Sequence, residues 1–518
     1  MKRSTIGIAL VLALVPACGG DPASRGGAGS AGTLVVAQQS GPDTLDPLRQ
    51  RTARAQELLS LQLGLALLIQ GGEGQGLRPW LAAELPRRES DRVVFRIRDE
   101  AVYDDGRPVL AADFRRGFEA ARALGPRTGR LAQAYAGVSG IEDRERDIVV
   151  DFGPPSEAAI EAFGLYAAPL RESRDPEVVD ESGAGCGPYR LEHRDAVEIR
   201  LARKHPWWGD RVAELRGLYR FDRQILRVMA DEPMLLPALR AGTIDLCGLP
   251  GELSKGLTDA TIGISRYYLP GFSFLGWNTR RPPFDRPELR RALSAVLPRD
   301  RIAQAAFAGL ARPVDSLFGG EGTASGGNAR VDLLAELAAA GIRDEDGDGR
   351  LDFEGKPLSL RLLLPAGDLR WAEAVATALG EGLDQLGIGF ALDRQDIASM
   401  IPSLEAGRFD AFLLMWNVRE TRPSFRELLH SGEIRPGGRN FTGLADPELD
   451  RLTEALGRDQ MPDAREALQG RLDRRLRELR PLTLLLQQAS VLAWRKDRLE
   501  PEIGPRGLFL PGTRPIRR

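Results

Sequence analysis

The stretch Gly407–Phe425, GRFDAFLLMWNVRETRPSF, decides how the rest of the chain is read. Gly407-Arg408 makes a turn. Phe409 to Trp416 is a short apolar run without caps, too short for an independent helix. Six of its eight residues are large and apolar, so the run is expected to be a strand buried on both faces. It then breaks into Asn417, Arg419, Glu420 and Arg422. A buried strand whose end opens into polar groups is a common way to build a ligand site in an α/β protein. The plainer alternative is a core strand followed by a surface loop.

Outward from that stretch, the chain has 518 residues, too many for one hydrophobic core, so two or three domains are expected. Apolar residues make up 42% and charged residues 28%, ordinary for a soluble globular protein. The net charge of −2 gives no global field for steering nucleic acid or an anionic membrane, so no nucleic-acid partner is expected. Lys occurs only at 2, 204, 255, 356 and 496, while Arg is spread along the chain among acids. A phosphate-binding stripe would cluster it.

At the N-terminus, Lys2 and Arg3 precede the short apolar run Ile6–Ala17. The run reads as a signal peptide over 1–17 and is too short for a mature membrane span. Its end, Leu14-Val15-Pro16-Ala17-Cys18, resembles a bacterial lipobox, with Pro16 unusual in it. The resemblance implies lipidation at Cys18; an ordinary secretory signal is the alternative. Residues 18–32 are rich in Gly, Ser and Ala and read as a flexible tether. Cys186 and Cys247 remain. In an exported chain they form either one disulfide, worth about 3–4 kcal/mol, or two buried free thiols.

Ordered blocks along the chain resemble the family 5 extracellular solute-binding proteins, the peptide and nickel receptors of ABC importers. Thr44-Leu45-Asp46-Pro47 follows a first strand, Thr33–Gln38. Pro79, Leu81, Ala82, Asp105, Gly106, Pro108, Ala111 and Asp113 match a strand–turn–helix element. Within it VFRIR (94–98) alternates as a half-buried strand, and Phe114, Phe118 and Ala121 recur at helical spacing. Gly187-Pro188-Tyr189 matches the family's GTGPY element, with Cys186 beside it. The strongest block runs over 274–313, where Asn278, Pro283, Phe284, Arg290, Ala292, Leu293, Arg299, Ile302, Gly309 and Pro313 follow the pattern. The segment 440–456 matches a further helix, with Asp446 as N-cap and Pro447 at its first turn.

This resemblance implies an α/β fold of the periplasmic-binding-protein type II-like class, with two large lobes, a smaller inserted domain and hinge closure. The expected limits are domain I at 33–62, 184–268 and 481–518, domain II at 63–183, and domain III at 269–480. The ligand would bind between domains I and III, near Ser40, Gly41, Tyr135, Trp277, Asn278, Trp416, Asn417, Arg419 and Arg422. Peptide-binding members carry an Asp three residues after the Trp, to pair with the ligand's ammonium. Here that place is Arg419, which would repel such a group; it meets a carboxylate, phosphate or sugar hydroxyl, with Arg422 beside it, or it pairs with Glu420 or another acid. A monomer partnered by a small peptide-like or anionic solute and an ABC permease is expected, on the outer side of the membrane.

Between the blocks, DEDGDGRLDFEG (344–355) places Asp344, Asp346, Asp348 and Asp352 at EF-hand-like spacing. Position twelve is Gly355, so the bidentate Glu is missing. Calcium is one reading and a solvated hairpin the other; no other cofactor is expected. Enzyme motifs fail: there is no GxSxG, no SxxK and no HExxH, and His193, His205 and His430 form no pair at ligand spacing. A binding protein without covalent chemistry is therefore expected. The rival readings are a lipoprotein sensor or scaffold without transport, and an exported hydrolase with a triad assembled from distant segments.

Overall fold

A computed structural model describes residues 32–516, apart from 72–76, 90–91, 126–130, 132–134, 136–137, 153–156, 172–178, 180–181, 184, 256, 320–329, 368, 419–421, 459–460 and 505–506. The expected leader, Cys18 and Arg419 lie outside the described residues.

The chain enters on β1 (Thr33–Gln38), whose Leu34, Val35, Val36 and Ala37 are all buried. Strand neighbours on both sides and cores on both faces explain that unbroken apolar run. The turn after it is rigid because the buried Asp46 carboxylate accepts from the Leu48 amide at 2.9 Å and pairs with Arg49. α1 (Ala53–Glu57) runs directly into a π-helical turn, Leu58–Gln62. A small antiparallel layer follows, built from β2 (Arg87–Glu89), β3 (Arg92–Arg96), α2 (Ala111–Leu124), β4 (Gly140–Arg144), β5 (Asp147–Asp151) and α3 (Glu157–Tyr166). Its strand order is β2-β3-β5-β4. The Asp113 carboxylate accepts from the Leu110 amide at 2.9 Å and starts α2, which buries Phe114, Phe118 and Ala121 as its spacing requires.

The chain then returns with β6 (Tyr189–Arg194), β7 (Glu198–Arg203), β8 (Arg223–Val228), β9 (Leu246–Leu249) and β10 (Ile262–Tyr268). Leu269-Pro270 carries it into a further sheet at β11 (Gly271–Trp277). There follow α4 (Pro287–Ala295), α5 (Arg299–Phe307), β12 (Ala311–Pro313), β13 (Ser359–Pro365), α6 (Arg370–Gln385), β14 (Gly389–Gln395), β15 (Ala411–Asn417), α7 (Pro447–Leu456), α8 (Pro462–Leu479) and β16 (Leu482–Leu484). Leu485 leads back into β17 (Leu486–Arg495). The larger sheet has the order β10-β17-β9-β1-β8-β7-β6, with β12 also beside β17. The five-stranded sheet has the order β14-β13-β15-β11-β16. β1 and β15 are thus the central strands of their two sheets.

The cores follow from this layering. One apolar cluster runs without a break from Leu34, Val36 and Leu246 of the large sheet to Phe95, Phe114 and Phe163 of the small layer. The opposite face of the large sheet buries Val35, Ala37, Cys247 and Val491. The five-stranded sheet has a core on each face, one around Leu360, Leu379 and Leu413, the other around Phe272, Phe412 and Leu452.

The disulfide reading is corrected: Cys186 and Cys247 are both buried and free. They belong to clusters on opposite faces of the large sheet, so no bridge can join them. The Cys186 thiol donates to the Gly64 carbonyl at 3.0 Å, while Cys247 lies in β9 between β1 and β17. Burial pushes each thiol up to about 12, so both stay protonated and unreactive.

Where the chain passes from the large sheet to the small layer and back, two glycines touch. A Cβ on Gly187 would stand 2.4 Å from the Gln62 carbonyl oxygen, and one on Gly64 (φ +72°) would stand 2.3 Å from the Gly187 Cα. The Gly187 amide donates to the Leu63 carbonyl at 2.8 Å. The Gly-rich GAGCGPY run therefore serves close backbone approach.

Candidate functional site

The key stretch forms its strand two residues late. Phe409 and Asp410 precede β15, and Asp410 accepts from the Arg361 amide at 2.8 Å. Burial along β15 also changes. Ala411, Phe412 and Leu413 are buried on both faces, whereas Met415 and Asn417 are exposed and Trp416 is half-buried. The strand emerges from the core as it reaches its polar end.

That end sits where the two sheets meet. β15 pairs antiparallel with β11, in the register Gly271↔Asn417 and Phe272↔Trp416. The Val418 amide donates to the Pro270 carbonyl at 3.1 Å, so the polar exit is tied to the crossing itself. Gly271 lies at φ +149°, and a Cβ there would come 2.4 Å from the Trp416 carbonyl oxygen. The returning crossing is held alongside: the Leu485 amide donates to Ser273 O and the Leu269 amide to Gln488 O, both at 2.9 Å. Beyond the strand, the buried Arg465 donates to the Pro423 carbonyl at 2.9 Å and to the Leu456 carbonyl at 2.8 Å. This fixes the far end of the loop that carries Arg422.

The predicted ligand residues divide into two groups. Trp416 and Asn417 lie on the exit of β15, and Arg422 follows it in the chain. Ser40 and Gly41 leave the C-terminal end of β1 in the other sheet, next to Gln39, which donates to Glu232. Three others, Trp277, Asn278 and Tyr135, lie in the interior. Trp277 is fully buried, its Nε1 donates to Thr483 Oγ1 at 2.9 Å, and its ring stacks on Phe284. Asn278 is 1% exposed and donates to the carbonyls of Gly407 (3.0 Å) and Phe409 (2.9 Å). It holds the turn before β15. Tyr135 is buried in the small layer between Phe118 and Phe163, and burial raises its phenol well above the ordinary range.

Two cation–aromatic pairs near the crossing were not legible in the sequence. Arg439 lies over the Trp416 ring at 5.9 Å and pairs with Glu427. Arg312 lies 3.9 Å from the Tyr268 ring centre and donates from Nε (3.1 Å) and Nη2 (2.9 Å) to Gln487 Oε1. An Arg over an aromatic face is attracted by the ring quadrupole. Each pair joins residues far apart in the chain.

For a cation, Asp344, Asp346 and Asp348 each bring an oxygen within 4.8 Å of the others, and all three are exposed. Much of their acceptor capacity closes the loop on itself. Asp344 accepts from the Gly347 (2.7 Å) and Gly349 (3.0 Å) amides, and Asp348 from the Arg350 amide (2.7 Å). Asp352 is corrected: it is buried, accepts from the Glu345 amide at 3.0 Å, and stands apart from the group of three.

A family model described as bacterial extracellular solute-binding proteins, family 5 middle, matches residues 76–433. The probable peptide-binding protein YejA of Agrobacterium fabrum is 24% identical, over 84% of this chain and 82% of its own. Protein XP55 of Streptomyces lividans is 26% identical, over 85% and 81%. Among solved structures, HbpA2 of Haemophilus parasuis superposes with a TM-score of 0.79 at 16% identity, covering 94% of this chain and all of that one. The unliganded open form of the periplasmic murein tripeptide binding protein MppA gives 0.75 at 19%, covering 94% and 98%. At these identities the structural likeness concerns the fold, a mixed α/β architecture of two lobes.

Proposed function

We propose a working mode for this chain, which belongs to family 5 of the bacterial extracellular solute-binding proteins: it captures a small polar solute between its two large lobes and hands it to an ABC permease. The observation that carries this reading is the position of the β15 exit. It lies beside both chain crossings, so a solute held there touches the joint about which the lobes turn. Ligand need only prefer the closed arrangement for binding to become a signal to the permease. No bond is made or broken.

Within that reading the solute contacts come from Ser40 and Gly41 on one lobe and from Trp416, Asn417, Arg419 and Arg422 on the other. Domain I takes 33–62, 184–268 and 485–518, domain II 63–183, and domain III 269–484; the expected limit at 480/481 moves because Leu482–Leu484 pair with β11. The protein acts as a monomer, anchored outside the membrane through a lipid on Cys18. With Arg419 three residues after Trp416, the solute presents a carboxylate or another electron-rich group at that position, and a free amine there is disfavoured. Arg419→Asp should weaken binding of such a solute by at least about tenfold; unchanged affinity overturns the charge assignment.

Native mass spectrometry of the purified protein, followed by identification of any retained mass, tests the reading as a whole. A stoichiometric small polar solute that is lost on unfolding is the expected result. Turnover of ester, amide or glycoside substrates would overturn it in favour of an exported hydrolase.

A further inference from the structure

We propose that the pocket between the end of α8 and β16 is a binding site for a small oxyanion, phosphate or a carboxylate, received by Arg480. The pocket is open to solvent, and Asp315, Asp473, Arg477, Arg480, Leu482 and Leu484 line it. It is separate from the exit of β15: β16 is the edge strand of the five-stranded sheet, and β11 lies between it and β15. The inference does not depend on what the lobes capture.

Both acids of the pocket are already engaged. Asp315 accepts from Arg299 Nη1 at 2.5 Å. Asp473 accepts from the Ser316 hydroxyl at 2.6 Å and the Leu317 amide at 3.4 Å, and burial pushes its carboxyl above the ordinary value. The Arg480 side chain stands differently. Its Nε is buried and has no hydrogen-bond partner among the described residues. Burial disfavours its charge, and Arg299, Arg291 and Arg477 add repulsion that Asp315 only partly offsets. A buried donor left without an acceptor is costly, and more so when it is charged.

The main chain beneath this guanidinium is fixed. The Arg480 carbonyl accepts from Arg290 Nε at 2.9 Å, and its amide donates to the Leu476 carbonyl at 2.7 Å. Arg290 is 1% exposed and also donates to the Phe284 carbonyl at 2.6 Å and to Leu479. Arg480 itself takes a left-handed conformation, φ +47°, where glycine would be at ease. A cation with an unused donor is thus delivered into a pocket by a rigid backbone. A guanidinium's planar fork suits two oxygens of one oxyanion.

Isothermal titration of the full chain with inorganic phosphate, and separately with acetate, at constant ionic strength tests this. Saturable one-to-one binding of at least one of them is expected; phosphate without acetate narrows the site to tetrahedral oxyanions, and acetate without phosphate to carboxylates. Arg480→Gly should lower the affinity at least about tenfold. Because glycine accepts that backbone conformation, the same variant without anion should unfold at no lower denaturant concentration than the parent. Arg394→Gln, which alters an exposed Arg paired with Glu373, should leave the affinity unchanged. Absence of saturable binding by both anions, or equal affinity in Arg480→Gly, overturns the proposal.

Discussion

The large sheet is joined to its two neighbours in different ways. Toward the small layer the chain also crosses and returns, but there the backbones are in contact at Gly64 and Gly187 and one apolar cluster is shared by both sides. Toward the five-stranded sheet the chain crosses at Leu269-Pro270 and Leu485, and that sheet keeps its own two cores. Its apolar contact with the large sheet includes Phe307 and Leu310, beside β12. A shared core cannot be opened without exposing it to water, whereas two strands can flex. In the proposed reading the small layer is therefore a fixed part of the first lobe, and the movable joint lies at 269–270 and 485.

The comparison can be broken most severely at the fixed side. Gly187→Ala places a methyl group against the Gln62 carbonyl and should cost about 3 kcal/mol in urea unfolding. The large sheet and the small layer should lose hydrogen-exchange protection together; independent unfolding of the small layer would refute the shared core. Arg290→Met comes next, because it strips the Phe284 carbonyl and the Leu479 and Arg480 carbonyls at the end of α8 of their donor; a loss of about 2–3 kcal/mol is expected from the same measurement.

At the movable side, Gly271→Ala should be milder in stability, about 1–2 kcal/mol, since a loop crossing can relax. It displaces the Trp416 carbonyl, so solute retention in native mass spectrometry should drop while the fold persists. A variant as destabilised as Gly187→Ala, with retention intact, would reverse the assignment of the two joints.

The smallest effect belongs to a cap remote from either joint. Asp446 accepts from the Glu448 and Leu449 amides at the start of α7 and pairs with Arg475. Burial works against its charge, but Arg475 and the amides outweigh it and hold its carboxyl below the usual value. Asp446→Ala should cost about 1 kcal/mol at pH 7. Because the folded value is the lower one, this contribution is present above the unfolded value near 3.8 and fades as pH falls through the folded one. Denaturation curves of the two proteins should therefore converge in acid.

The fold was legible through the ordered blocks that resemble family 5; apolar periodicity and turn residues alone report only which segments are buried. The site was less legible. Trp277 and Asn278 stand in the most specific block, yet both are turned inward, one to Thr483 and the other to the turn before β15. A motif names residues under constraint, and a packing constraint looks the same as a binding one. The pairs Arg312–Tyr268 and Arg439–Trp416 escaped because a stacking partner distant in the chain leaves no local spacing to read. Cys186 and Cys247 gave two equal readings until the sheet put them on opposite faces.

The most direct test is hydrogen exchange on the protein as isolated with its retained solute, against the same protein unfolded, dialysed and refolded. The account predicts that solute adds protection at 269–273, 415–418 and 485–488 and leaves 62–64 and 185–187 unchanged. Protection gained at 62–64 and 185–187, with none at the crossings beside β15, would contradict it.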